Sequence, residues 1–179
     1  MLEKKATFSG RRNFFDSLGS KLFHDDSVAE FETGSASVAV IFKADESAKI
    51  LLIKRAVKEE DPWSGQIAFP GGRVENGDSS FRDTATRETK EEMAIDLRRV
   101  SRFLGYLGPF KARTKEMMVV PSLFVLTRGT RISPNQEVAS HRWVPIRAFR
   151  ADSSRSFYSR DDDGTKLSFP CYIVGDYVI

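Results

Sequence analysis

The segment GGRVENGDSSFRDTATRETKEEMAI, residues 71–95, joins a glycine turn to a helical pattern. The pattern predicts a helix over residues 79–94, with an N-cap at Asp78, Ser79 or Ser80. Apolar and small side chains recur in it at four-residue steps, at Phe81, Ala85, Thr89 and Met93. We expect this stripe to face the core of the domain.

Three acidic side chains of the same helix, Glu88, Glu91 and Glu92, stand at positions i, i+3 and i+4. That spacing places them on one helix face, where their charges repel one another. A hard divalent cation such as Mg²⁺ would turn the repulsion into attraction, because it prefers carboxylate oxygens. On spacing alone, a solvated acidic surface is about as plausible as a metal site. Arg87, four residues before Glu91, is placed to hold one carboxylate.

The residues before the helix favour the metal site. A short strand, QIAF (66–69), ends at Pro70, Gly71 and Gly72, and Glu75 and Asp78 add two acids before the helix. A glycine-rich turn exposes backbone amides and carbonyls that can reach a metal or a phosphate. Strand, glycine turn and acidic helix together predict a metal–phosphate cradle.

The rest of the chain predicts a sheet. SVAVIFK (37–43) and KILLIKR (49–55) read as a hairpin of buried strands, and further strands are expected near 100–107, 117–126 and 138–144. Pro121 should lie at an edge or a bulge, and residues 145–149 should begin a short helix. YSRDDDGTKLSF (158–169) reads as a hairpin with an Asp-Gly turn rather than a calcium loop. Residues 10–25 carry helical spacing at Phe14, Phe15, Leu18 and Leu22.

Composition limits the class of protein. The 179 residues are 40% hydrophobic and 30% charged, which suits a single domain with a full core. The single cysteine, Cys171, permits no internal disulfide and fits a reducing, cytoplasmic setting. Neither a secretory signal nor a run of membrane-spanning length is present in the sequence. The net charge of +3 suits an anionic small molecule and predicts neither nucleic acid nor membrane as a partner.

Residues 72–95 resemble the Nudix box, G-x5-E-x7-R-E-U-x-E-E-x-G-U, where U is apolar. The matches are Gly72, Arg87, Glu88, Glu91, Glu92 and Ile95. Asp78 stands at the first Glu of the pattern, and eight residues rather than seven separate it from Arg87. Thr89 replaces an apolar residue, and Ala94 replaces the last Gly.

The coenzyme A pyrophosphatase branch of that family is the nearest in pattern. LLIKRA (51–56), GQIAFPGG (65–72) and TATRE (84–88) resemble its signature. One position departs, because Asp61 stands where that signature has a basic residue. The chain ends at FPCYIVGDYVI (169–179), where such proteins usually continue into a last helix, so it is either naturally short or truncated.

The resemblance implies an α+β fold, a Nudix-type α/β/α sandwich with a mixed sheet between helices. It divides the chain into an N-terminal helix and linker, residues 1–35, and a Nudix hydrolase domain, residues 36–179. It also implies Mg²⁺ (or Mn²⁺) held by Glu88, Glu91, Glu92 and the Gly72 carbonyl. The catalytic residues would be Glu91, Glu88 and Arg87, with Glu137 or Glu116 as an alternative general base from a later loop.

The expected reaction is hydrolysis of a pyrophosphate bond in a nucleoside diphosphate derivative, with a coenzyme A-type substrate favoured. The phosphates would contact Arg55, Arg73 and Arg113, because guanidinium groups match phosphate oxygens. Trp63 would stack on a base or serve as a hydrophobic anchor. Alternative substrates are nucleotide sugars, dinucleoside polyphosphates or nucleoside triphosphates. A catalytically silent nucleotide-binding module and a homodimer also remain open.

Overall fold

The structure is a computed structural model that describes residues 14–44, 47–59, 61, 63–112, 117–162 and 165–179. Its helices are α1 (residues 14–19), α2 (Phe81–Met93) and α3 (Leu97–Val100). Its strands are β1 (Ala36–Ala44), β2 (Ala48–Arg55), β3 (Ile67–Ala68), β4 (Gly71–Arg73), β5 (Ser101–Tyr106), β6 (Phe110–Lys111), β7 (Met118–Leu126), β8 (Val138–Pro145), β9 (Arg155–Asp162), β10 (Thr165–Val174) and β11 (Tyr177–Val178). Short 3-10 helices cover Asp26–Val28, Ile146–Arg150 and Asp152–Ser154.

The main sheet is mixed. Its central order is β3-β2-β1-β7-β5, with β4 paired to β1, β6 to β7 and β8 to β2. Strands β1 and β7 run parallel, and the other pairs are antiparallel. The predicted β1–β2 hairpin and the three later strands are confirmed. The fold is α+β.

The main sheet lies between two helices, as predicted. Side chains alternate along β1, so successive residues face opposite sides of the sheet. Ala39 and Ile41 pack in the cluster that contains Ala85 of α2. The neighbouring β1 residues, Val40 and Phe42, pack in the cluster that contains Phe15 of α1. Both sides of β1 are therefore covered, and this gives the α/β/α sandwich.

Helix α1 is shorter than the predicted helix. Its described part covers residues 14–19 and ends at Gly19. Residues 10–13 lie outside the described part of the chain. Phe23 then forms an isolated β-bridge with Tyr106, which takes the backbone out of the helical path. Leu22 is nevertheless buried against the sheet, as its spacing predicts.

Helix α2 matches its prediction closely. Ser80 is the N-cap, and its hydroxyl accepts a hydrogen bond from the Asp83 N–H at 3.1 Å. The predicted inward stripe is fully buried at all four positions, Phe81, Ala85, Thr89 and Met93. The helix ends at Ala94, whose φ of 57° is left-handed and whose N–H donates to the Lys90 carbonyl.

The prediction for Pro121 is wrong, because Pro121 lies inside β7 between two neighbouring strands. It pairs with Val38 of β1 on one side, while its carbonyl accepts from the Leu107 N–H on the other. Leu107 lies between β5 and β6, where the partner strand is interrupted. The missing N–H of the proline faces this interruption, so the ladder loses no donor there.

Strands β9, β10 and β11 form a second, three-stranded antiparallel sheet in the described part of the chain. The predicted hairpin is confirmed by the pairing of Thr165 with Asp162. Its Asp163-Gly164 turn lies outside the described residues. The predicted helical turn after Pro145 is the 3-10 helix Ile146–Arg150. Searched over the described residues, the chain offers no helix of the length and hydropathy that a bilayer crossing needs.

Ala94→Gly should stabilise the protein by about 0.5–1 kcal/mol, because an L-residue with a side chain is strained in the left-handed region and glycine is not. The denaturant midpoint measures the change. Ala151 is exposed and has a φ of −75°, so Ala151→Gly serves as a control of opposite sign. A loss of stability in Ala94→Gly would contradict the strain argument.

Candidate active site

The glycine turn brings β4 against both β1 and α2. Gly71 has a φ of 150°, and a Cβ there would lie 2.6 Å from the Val38 Cα. A Cβ on Gly72 would overlap the Glu88 carboxylate. The Gly71 N–H donates to Glu92 Oε2 at 2.9 Å. Two adjacent glycines therefore let two acids of α2 reach the backbone of the turn.

Arg87 connects α2 to the turn and to three carboxylates. Its Nε and Nη2 donate to the two Asp78 oxygens, each at 3.0 Å. Nη1 donates to Glu88 Oε1 at 3.0 Å and to Glu91 Oε2 at 3.3 Å. Nη2 also donates to the Arg73 carbonyl at 2.9 Å. The structure thus places Arg87 as an organiser of the acids around it.

Asp78 lies at the first Glu position of the Nudix pattern, and its side chain is only 4% exposed. Burial by itself would raise the pKa of Asp78. Hydrogen bonds from Arg87, from the Glu75 N–H and from the Thr84 hydroxyl nevertheless hold that pKa below its usual value. The carboxylate is therefore a buried anion matched to Arg87.

Two acids of α2 are buried enough to resist ionisation. Burial raises the pKa of Glu92 to about 7, against the hydrogen bond from Gly71, and the nearby charges of Glu88 and Glu137 add to the rise. Burial also raises the pKa of Glu88, although Arg87 opposes the shift. At neutral pH these two carboxyl groups therefore still carry negative charge in part. The hydrogen bond from Gly71 and the charge of Arg87 compensate that charge only partly.

Glu137 is held beside the same site from two directions. The Asn135 N–H donates to the Glu92 carbonyl at 2.8 Å, and the Glu137 N–H donates to Asn135 Oδ1 at 2.8 Å. Lys58 Nζ lies 2.7 Å from Glu137 Oε1. These contacts tie the loop before β8 to the end of α2 and to the loop after β2.

Arg55, at the end of β2, contacts an acid that sequence reasoning did not pair with it. Its Nε and Nη2 lie 3.1 and 2.7 Å from one oxygen of Asp61. The other Asp61 oxygen accepts from the Trp63 N–H at 3.0 Å. The charge of Arg55 also acts on Glu92, where it opposes the rise in pKa. Arg55 pairs with Val138 in the sheet and so lies next to Glu137, whose loop is bonded to the end of α2.

The remaining predicted site residues are Arg73, Trp63, Arg113 and Glu116. Arg73 is exposed, and its carbonyl contacts Arg87. Trp63 is half-buried in the turn that precedes β3. Arg113 and Glu116 lie outside the described residues. The contacts Arg55–Asp61 and Lys58–Glu137 were missed, since partners in separate loops have no periodic signal in the sequence.

The donor chemistry suits a hard divalent cation, but the acids are not arranged around a common point. Among the described residues, no three His, Cys, Asp or Glu side chains form a group that could hold a metal as they stand. Glu91 is drawn toward Arg87, and its side chain is 56% exposed, so it has room to rotate. Glu88 and Glu92 already present buried, carboxylate-only donors with raised pKa values. These residues fit a cation chemically once Glu91 turns.

Comparison with known proteins agrees with this geometry. The family model of the NUDIX domain matches residues 34–161. A Nudix hydrolase NudL of Pectobacterium atrosepticum is 36% identical over 97 residues, 54% of this chain and 50% of the relative. A peroxisomal coenzyme A diphosphatase of Caenorhabditis elegans is 31% identical over 137 residues, 71% of this chain and 55% of the relative. The chain therefore spans about half the length of these curated relatives.

Comparison with solved structures shows the same fold. The crystal structure of an Ap4A hydrolase binary complex from C. elegans superposes with a TM-score of 0.53 at 20% identity, covering 63% of this chain and 81% of that one. A MutT/nudix family protein from Enterococcus faecalis superposes with a TM-score of 0.50 at 20% identity, covering 84% and 56%. Sequence family, mixed sheet and the acidic helix beside a glycine turn agree: the chain belongs to the NUDIX family.

Proposed function

We propose that this protein hydrolyses a pyrophosphate bond in a nucleoside diphosphate derivative, with the help of a divalent metal. The observation that carries the proposal is a pair of carboxylates set against the backbone of Gly71 and Gly72: Glu92, which is buried, and Glu88, whose side chain is 16% exposed. Buried carboxylates without a full set of cationic partners are costly, so such a pair favours a cation as its ligand.

The proposed cation is Mg²⁺ (or Mn²⁺). Glu88, Glu91, Glu92 and the Gly72 carbonyl would hold it, since all four offer the hard oxygen donors that these metals prefer. Bound there, a divalent cation polarises phosphoryl oxygens and lowers the pKa of a coordinated water. Arg87 would keep Glu88 in place and hold Glu91 until a cation draws it away, because both contact the same Nη1.

Glu137 is the proposed general base, taking a proton from the attacking water at its carboxylate. Its position supports this role, because its loop is bonded to the end of α2 through the Asn135 N–H and the Glu92 carbonyl. Lys58 donates to Oε1, which leaves Oε2 to face a water. Glu91 and Glu88 are the alternatives within the helix, and Glu116 stays a prediction because it lies outside the described residues.

A coenzyme A-type substrate is the leading candidate. The sequence signature over residues 51–56 and 65–72 supports it, as does similarity to a relative named as a coenzyme A diphosphatase. Arg55 and Arg73 would bind the phosphates, with Arg113 as a further candidate and Trp63 as a stacking surface for a base. The alternative is a dinucleoside polyphosphate, favoured by the fold shared with an Ap4A hydrolase.

Three further predictions stay open. The division into an N-terminal segment, residues 1–35, and a Nudix domain, residues 36–179, is a prediction, although Phe15 packs with the sheet. A homodimer is one option for the assembly. A cytoplasmic location rests on the lone cysteine, Cys171, which is buried.

Glu91→Gln should reduce turnover about 100-fold or more with the fold retained, because it removes a metal-binding and catalytic carboxylate from a half-exposed position. The assay incubates the protein with Mg²⁺ or Mn²⁺ and coenzyme A, ADP-ribose, NADH, a dinucleoside polyphosphate or nucleoside triphosphates. Chromatography identifies the products, and circular dichroism checks the fold.

Glu30→Gln is the matched control, since Glu30 is exposed and is not one of the acids of the candidate site. It should retain the wild-type rate. Near-normal activity of Glu91→Gln would refute the metal assignment. No turnover of any substrate by the wild type with either metal would favour the silent nucleotide-binding module instead.

Glu92→Gln should stabilise the metal-free protein by roughly 2 kcal/mol at pH 8 while abolishing activity. The folded protein raises the pKa of Glu92 from 4.5 to about 7, so ionisation destabilises the wild type as the pH rises through that range. The neutral amide avoids this cost and can still accept from Gly71. Urea unfolding in EDTA at several pH values measures the difference.

The difference in free energy of unfolding between the wild type and Glu92→Gln should vanish as the pH falls to 4.5, the usual pKa of a glutamate. Addition of Mg²⁺ should raise the melting temperature of the wild type more than that of Glu92→Gln. A gap independent of pH would show that Glu92 does not carry the buried charge.

A further inference from the structure

The Arg55–Asp61 pair occupies the part of the guanidinium that best grips a phosphate. Nε and Nη2 form one flat edge, which can donate two parallel hydrogen bonds to an oxyanion. Both donors of that edge are directed at a single Asp61 oxygen, at 3.1 and 2.7 Å. The side chains are mostly shielded from solvent, with 28% and 15% exposed, so the pair is more than a surface contact.

This pair stands beside the proposed phosphate site. Arg55 pairs in the sheet with Val138, which directly follows Glu137, and the same loop is bonded to α2 by the Asn135 N–H, which donates to the Glu92 carbonyl at 2.8 Å. The main chain also holds Arg55 close to the glycine turn, because the Arg55 N–H donates to the Gln66 carbonyl just before β3. A substrate phosphate that reaches Arg55 therefore also meets Asp61.

Lys58, in the loop after β2, is also paired with an acid. Lys58 contacts Glu137 at 2.7 Å, as Arg55 contacts Asp61. In sequence, residues 56–65, AVKEEDPWSG, carry one lysine and three acids. On this side of the site the charges of Arg55 and Lys58 are therefore balanced by acids, and no excess of positive charge results.

We propose that Asp61 is a specificity-determining residue that neutralises Arg55 and so disfavours substrates whose linear phosphate chain continues beyond the pyrophosphate being cleaved. The proposal rests on the proposed pyrophosphohydrolase function. Each additional phosphate of the chain brings negative charge toward a carboxylate, and the paired edge of Arg55 cannot bind it without breaking the bonds to Asp61. A nucleoside diphosphate derivative whose chain stops at two phosphates avoids both penalties, and the ribose phosphate of coenzyme A lies outside that chain.

Asp61→Asn is the informative substitution. The amide oxygen can still accept from the Trp63 N–H, so the turn keeps its hydrogen bond while the negative charge disappears. We expect the preference for ATP over ADP to rise roughly three- to tenfold, as one charge a few ångströms away predicts in a partly solvated site. The gain should shrink at 0.5 M salt, because screening weakens it.

Calorimetry with Mg²⁺ measures the dissociation constants of ADP and ATP analogues whose bridging oxygens are replaced by methylene groups, so that binding is read without turnover. Asp16→Asn is the matched control. It breaks an Arg102–Asp16 pair of the same 2.7 Å length on β5, three strands from β2. It should leave the ratio of the two constants unchanged.

The outcomes separate the two proposals. If the wild type binds neither analogue, the nucleotide-directed function itself fails. If it binds both but Asp61→Asn shows the wild-type ratio, only the role of Asp61 fails. Equal weakening of both analogues by Asp61→Asn would make Asp61 a positioning residue for Arg55 and would also overturn the specificity proposal.

Discussion

The site depends on one guanidinium buried among acids. Arg87 contacts Asp78, Glu88 and Glu91 and also the carbonyl of Arg73, so one side chain joins α2 to β4. Arg87 is partly buried, with 23% of its side chain exposed, and the buried side chain of Asp78 would be costly to keep charged without it. The helix, the turn and the acidic face are therefore fixed relative to one another by a single set of mutual contacts.

Arg87 does not satisfy every acid it gathers. Glu92 points the other way, to the Gly71 N–H, and is 3% exposed. One neutral hydrogen bond is a weak match for a buried carboxylate, and the raised pKa reflects that. The protein thus keeps a locally unfavourable charge on an otherwise well-packed helix, which is the usual sign of a residue retained for chemistry rather than for stability.

Elements with a strong period were predictable from sequence, and side-chain partnerships across loops were not. The α2 stripe from Phe81 to Met93 and the β1–β2 hairpin follow directly from spacing, because burial of one face leaves a repeating pattern. Pro121 was misplaced because sequence does not reveal that the strand beside β7 is interrupted opposite it. The acids of α2 could be located by their spacing, but the Arg55–Asp61 contact depends on how a loop folds back, which no period encodes.

The acidic helix and the pair at Arg55 are held by different contacts. The carboxylates of α2 are ordered by Arg87, whereas Arg55 is ordered by Asp61. The loop of Glu137 is not independent of the helix, because the Asn135 N–H bonds it to the Glu92 carbonyl. The Arg55–Asp61 pair shares no partner with Arg87, so the charge at position 61 can change without breaking a contact of Arg87. A chain can therefore keep the Arg87–Glu92 pattern and yet carry an acid at position 61, where the resembling branch has a base.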